Sequence, residues 1–419
     1  MSVTCTLGSL DLSSYLRDGI KIGGAAKAWD EVGGSHADIA RQSNVRTSGL
    51  IDIILPLKLT AATADLLITA VANVRTEAKK STNTLTVKPT GATNSVVFNV
   101  LESPRLSSVP WDNTYDVGKV ALFDLHLVCE PWAYAAAATT ALNASAQTFP
   151  DGLSFKASGG DATTILGDAD TPLTITVIPE DDPAEDNLHA LYMGWYPAAD
   201  WTGYLVETDV AGTWVGGTCA DAALSNEHAT ASVKNTGTDT AYFPIDTAGY
   251  ADGSYLVLAR VALESADDTG SLYLATSLGT ISDTVTFDPD GTHWELIELG
   301  VVHLPVQETV SGTAATLRVH MACSAAHFIA MDYVAFIPLD HGLVCYHPST
   351  ATTASASIRS ELGKLYDASV VTYANASGHG IKAHGLGTLV VVAEEVDNDA
   401  ATWAGIITVS YTPRYELWR

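Results

Sequence analysis

The sequence predicts a mainly β protein, with an antiparallel β-sandwich or jelly roll preceded by an α+β domain that carries one helix. Three observations predict it. In Val120–Cys129, Ala121, Phe123, Leu125, Leu127 and Cys129 alternate with the residues between them, the period of two of a half-buried strand. From Gln147 onward, short apolar stretches recur roughly every ten residues between turn residues, with no helical period, as in all-β sandwiches. Only Thr60–Lys80 changes to a helical period.

In chain order, residues 1–49 open with a short alternating piece and a loop rich in Gly, Ala and Asp, Gly23–Asp38, expected to need a cover from elsewhere. Leu50–Leu59 places Ile51, Ile53, Leu55, Leu57 and Leu59 on one face, with Pro56 pointing to an edge or bulge. In the segment that follows, Thr60 or Thr63 can cap a helix, Asp65 lies in its first turn, and Leu67, Val71 and Val74 recur at helical spacing. Leu85–Val87 and Val96–Leu101 form a hairpin through the turn Pro89–Asn94, and Val120–Cys129 closes the domain at Glu130-Pro131. Trp132 and Tyr134 follow as an aromatic lid.

Ala135–Ala146 lacks apolar periodicity and reads as a spacer. Beyond it, strands are expected at Thr174–Ile178, Ala190–Tyr196, Gly203–Thr208, Ala229–Lys234, Tyr255–Leu263, Ser271–Thr276, Thr284–Phe287, Trp294–Leu304, Ala315–Met321 and Met331–Pro338. The last segment adds Leu389–Ala393 and Gly405–Tyr411. The domain reading is therefore 1–135, 136–340 and a C-terminal segment 341–419 that returns to or bridges the first domain.

Charge supports that division. Of a formal net charge of −27, residues 1–135 contribute −1, residues 136–340 contribute −24 and residues 341–419 contribute −2. So acidic a middle segment would repel phosphates, which argues against nucleic acid and anionic membrane as its partners. The acid reads either as a solubilising outer face or as a surface for cations or sugar hydroxyls. It is also what a saline habitat would select. No window of about 18 uninterrupted apolar residues occurs, so no membrane insertion is expected. The opening MSVTCTLGSLDL shows no basic region followed by an apolar run, so no secretory signal is expected. Five cysteines at wide spacing, without CxxC, read as buried free thiols.

No catalytic signature emerges. Neither HExxH nor GxSxG occurs, and Gly363-Lys364 lacks the other residues of a P-loop. His379 and His384 are five apart, which suits neither a helix face nor a strand face, so no metal site and no cofactor are assigned. Gly378, Gly380 and Ala383 approximate a dinucleotide fingerprint without its βαβ context. Asp288–Thr292 begins like a calcium loop but fails after its fourth residue and reads as a turn. The acidic pairs Asp181-Asp182 and Asp267-Asp268 lie in turn contexts. Catalytic residues are therefore assigned to none of these positions, and the chain is read as not an enzyme. Trp195, Tyr196, Trp201, Tyr204 and Trp214 cluster within twenty residues. Rings beside acids suit sugars, with C–H groups on ring faces and hydroxyls on carboxylates, but core packing produces the same pattern.

At the level of families, Phe123–Ala135, FDLHLVCEPWAYA, resembles the strand that closes the first domain of distal tail proteins and related minor tail (baseplate hub) proteins of long-tailed bacteriophages. Residues 50–134 follow the outline of that domain. Trp294–Pro305, WELIELGVVHLP, and Ile329–Leu339, IAMDYVAFIPL, resemble the outer sandwich of such proteins, and Ile407–Tyr415, ITVSYTPRY, resembles their closing strand. The resemblance implies a structural virion component. The first domain would build a homo-oligomeric ring, commonly a hexamer, that joins the tail tube to other tail-tip proteins. The galectin-like or carbohydrate-binding-module-like sandwich would project outward, where such domains sometimes touch host surface glycans. The implied location is the phage tail, after synthesis in the host cytoplasm. A host-saccharide-binding module and a capsid or tail decoration protein are the alternative readings.

Overall fold

The computed structural model describes residues 3–24, 51–80, 83–101, 105–106, 119–148, 163–178, 188–198, 201, 205–207, 216–219, 229–232, 241–247, 250–263, 265, 268–276, 278–287, 295–305, 316–324, 329–346, 356–359, 364–367, 376–377, 380–395 and 402–416. The loop at 25–38, Asp288–Thr292, Asp181-Asp182, Asp267, His379, Tyr204 and Trp214 lie outside them. The protein is mainly β, with several antiparallel sheets, and a single α-helix among the described residues. It divides into two compact units, Met1–Ala138 with Thr412–Arg419, and Thr139–Tyr411.

Unit 1 is one sheet and one helix. Ile51–Thr60 pairs with Val120–Cys129 antiparallel over ten residues without a break, from Ile51 opposite Cys129 to Thr60 opposite Val120. The period-two pattern therefore puts both apolar sets on one face, where Ile51, Ile53, Leu55, Leu57, Leu59, Ala121, Phe123, Leu125, Leu127 and Cys129 are buried. The helix Ala64–Ala78 covers that face with Leu67, Val71 and Val74. Thr63 caps it by accepting the Leu66 N–H at 3.3 Å, and Asp65 lies in the first turn. Pro56 lies in a strand with neighbours on both sides, but the strand Lys21–Gly24 reaches only to Ile54. Past that point the missing proline N–H breaks no ladder on that side, and the Pro56 carbonyl accepts the Arg17 N–H. The hairpin is Asn83–Lys88 with Val96–Val100.

Thr139–Thr148, read from its composition as part of a spacer, is a strand. It pairs with Thr402–Tyr411, Thr139 opposite Tyr411 and Thr148 opposite Thr402. Small Ala, Thr and Ser side chains give no hydrophobic alternation, so nothing local announced a strand; the partner strand supplies the hydrogen bonds.

Unit 2 contains four principal antiparallel sheets. In the first, Thr139–Thr148, Thr402–Tyr411, Thr171–Ile178, Ala356–Arg359 and Lys364–Asp367 lie side by side in that order. The second runs Thr163–Ile165, Gly385–Glu395, Leu188–Tyr196, Leu343–Tyr346, Ala376–Ser377. The third runs Gly216–Cys219, Ala229–Ser232, Ile329–Pro338, Gly253–Leu263, Glu295–Leu304, and the fourth Ala241–Ile245, Leu317–Cys323, Gly270–Thr276, Gly279–Thr280. The chain does not leave unit 2 at 340, because Leu343–Tyr346 and Gly385–Glu395 flank Leu188–Tyr196 within one sheet.

The second sheet is buried on both faces. Leu191, Met193, Trp195, Val344, Leu389 and Val391 pack with the first sheet. The alternate residues Ala190, Tyr192, Cys345, Val390 and Val392 join a core shared with the third and fourth sheets. Ile329–Pro338 is buried at every residue, which explains its almost uninterrupted apolar sequence. Close approach is enforced at Gly194, where an added Cβ would lie 2.5 Å from the Pro338 carbonyl oxygen.

Candidate functional site

The aromatic cluster singled out in the sequence is core. Trp195 lies in the layer between the first two sheets, against Gly387, whose added Cβ would come within 2.3 Å of the indole. Tyr196 points the other way and stacks on Trp201 at 4.0 Å and 15°. Trp201 meets Tyr250 edge-on at 5.6 Å and lies 5.9 Å from Tyr255. Trp195, Tyr196 and Trp201 are 1%, 6% and 8% exposed, too little for any of them to form an open sugar platform. The phenol of Tyr196 accepts the Ala251 N–H at 3.0 Å, and that of Tyr255 donates to the Ala251 carbonyl. Burial pushes the Tyr250 and Tyr255 phenols well above their usual range, so both are neutral hydrogen-bonding groups.

Other polar candidates resolve into local pairs. His384 Nδ1 lies 2.6 Å from Asp170 Oδ1, with both side chains exposed. Asp268 is buried at a turn, its N–H donating to the Ser265 carbonyl. Among the described residues no three His, Cys, Asp or Glu side chains are grouped to hold a metal ion, and no helix is long and apolar enough to cross a membrane. Cys5, Cys129, Cys323 and Cys345 are buried free thiols.

Two aromatic–cation groupings were not assigned from sequence. In unit 1, Arg414 lies 5.9 Å from the ring of Trp132 and 5.3 Å from that of Tyr134. Its strand, Arg414–Tyr415, pairs with Ala133–Ala135, so the aromatic lid is closed by the returning chain. Tyr134 donates to Glu130, which also accepts from Asn99 at 3.0 Å.

In unit 2, the fourth sheet turns Phe243, Leu272, Leu274, Leu317, Val319 and Met321 to the core. Its opposite face carries Tyr242, His320 and Tyr273 in one cross-strand row, His320 being the register partner of both tyrosines. Tyr273 and His320 stack at 4.8 Å and 7°, Tyr242 lies 5.4 Å from His320, and the Arg318 guanidinium sits 4.8 Å over Tyr242. All four side chains are half-buried. The signal was present in LRVHMAC, where Arg318 and His320 alternate with Leu317, Val319 and Met321. Only the cross-strand register reveals that their neighbours are tyrosines.

Assigning residues to the units sharpens the charge asymmetry. Unit 1 carries 14 basic and 14 acidic residues, whereas unit 2 carries 7 and 34, so the whole net charge of −27 belongs to unit 2.

No protein-family model and no curated protein matches this sequence. Its structural neighbours at high probability include phage hub and baseplate proteins. One is the crystal structure of the SPP1 Dit protein, described as a paradigm of the hub adsorption apparatus in phages infecting Gram-positive bacteria. It is 8% identical with a TM-score of 0.36, and the match covers 98% of each chain. Another is a chain of the phage p2 baseplate in its activated conformation with Sr, 9% identical with a TM-score of 0.21, covering 81% of this chain and 99% of that one. The same baseplate with Ca matches at 8% identity and a TM-score of 0.21, with the same coverage.

Proposed function

We propose that this chain is a structural component of a phage tail tip, in which unit 1 associates with copies of itself into a ring between the tail tube and the tip proteins. Unit 2 then projects from that ring and contacts host glycans. The observation that carries this reading is the division of charge between the two units. An electroneutral unit can pack against its own copies without electrostatic cost. A unit of charge −27 repels its copies and is best accommodated apart from them, surrounded by solvent. The closing strand, Glu130-Pro131 and Trp132, which carry the resemblance to the first domain of distal tail proteins, belong to unit 1, the unit given the ring-forming role.

Native mass of the purified full-length chain, with negative-stain images of the same sample, tests the proposal. A ring of about six copies with protruding lobes is the expected result. Monomers at all concentrations, in the presence as well as the absence of tail-tube protein, would overturn it.

A further inference from the structure

The row on the fourth sheet of unit 2 contains an arginine, Arg318. No carboxylate pairs with Arg318 among the described residues, and its shielded Nε has no hydrogen-bond partner there. This occurs in a unit with 34 acidic residues. The contrast is Arg260, which reaches Asp332 at 2.5 Å in the core of the same unit. A guanidinium held over a tyrosine ring, with no carboxylate on it among the described residues, suits a planar anion. Next to it, Tyr242, His320 and Tyr273 form a row of rings on a half-exposed sheet face.

We infer that the face bearing Tyr242, Arg318, His320 and Tyr273 is a binding site for a saccharide that carries a single carboxylate, a sugar of the uronic-acid class. The carboxylate takes the Arg318 fork, and the sugar ring lies along the aromatic row. The unit's own charge selects the ligand: a polyanion or a doubly charged phosphate is repelled by the field of the remaining acids, whereas one carboxylate meets the local cation with the least opposition. This inference rests on the glycan contact proposed above and not on the ring.

Isothermal titration of the full-length protein with methyl glucuronide, methyl glucoside, glucose 6-phosphate and acetate tests it. Saturable binding of methyl glucuronide is expected, with the other three at least about tenfold weaker. Arg318→Gln should lose about tenfold in glucuronide affinity, and Arg318→Lys, which keeps the charge but not the fork, should fall between. An absence of saturable glucuronide binding overturns the inference. So does acetate or glucose 6-phosphate binding as tightly as the glucuronide, or Arg318→Gln and Arg318→Lys both binding like the unaltered chain. The two readings fail separately. A chain that stays monomeric yet binds glucuronide through Arg318 loses the ring alone. A ring that binds neutral sugars regardless of Arg318 loses this site alone.

Discussion

Arg260 and Asp332 are a fully buried ion pair in the third sheet of unit 2, 3% and 0% exposed. The register explains how they meet: Arg260 pairs with Tyr333 but Val261 pairs with Met331, so Asp332 is the extra residue of a bulge. Asp332→Ala takes the buried carboxylate away from Arg260 and should lower stability by about 3–5 kcal/mol in equilibrium urea unfolding. Replacing both, as Arg260→Met with Asp332→Leu, should cost far less, because no charge is left uncompensated. A double variant as unstable as the single one would show that the pair is not the source of the loss. The thiols are the second case at this scale. Burial, aided by nearby carboxylates, pushes Cys5 and Cys129 up to about 12. Thiolate is the reactive form, so iodoacetamide at about pH 8 should leave both unmodified in the native protein and label them after unfolding.

Among the elements, the unit 1 helix is held by its ends as well as by its apolar stripe. Thr63→Ala removes the side-chain acceptor for the Leu66 N–H and should cost about 1 kcal/mol in thermal or urea unfolding. At the other end, Glu77 bonds Lys80 and takes the Ser9 N–H and hydroxyl. The Lys80 ammonium, then the Ser9 N–H, hold its carboxyl below the usual range. A depressed folded-state value means the contribution is present above the unfolded value of about 4.3 and is lost as pH falls through the lower, folded value. Glu77→Gln should therefore flatten the acid limb of the stability–pH curve and change little near neutrality in its slope. In unit 2 the tight approach of the second and third sheets depends on Gly194. Gly194→Val should destabilise by about 1–3 kcal/mol or more, since the obstructing atom is a backbone carbonyl that cannot rotate away.

For the whole molecule, charge governs assembly in the proposed reading. Self-repulsion between copies of unit 2 should weaken the ring at low ionic strength, and about 0.5 M salt should strengthen it by shortening the screening length. Sedimentation velocity at several salt concentrations measures this, and a ring that dissociates with added salt would contradict the electroneutral contact assigned to unit 1. Much of this architecture was legible in the sequence. The alternation in Ile51–Thr60 and Val120–Cys129, the helix capped at Thr63 and the hairpin at residues 83–100 are local patterns, and period and capping chemistry determine them without reference to distant residues. The predominance of β-structure followed from the same kind of evidence. What only the tertiary structure decided depends on pairing between residues far apart in the chain. Thr139–Thr148 becomes a strand because Thr402–Tyr411 lies beside it. Trp195 and Tyr196 become core because other layers cover both faces of the sheet that bears them, and Trp201 because it stacks on Tyr196. Tyr242, His320, Tyr273 and Arg318 become neighbours through cross-strand register alone. A side chain's identity sets what it can bond, but which faces are covered and which strands adjoin is settled by long-range hydrogen bonding and burial, which no local window contains.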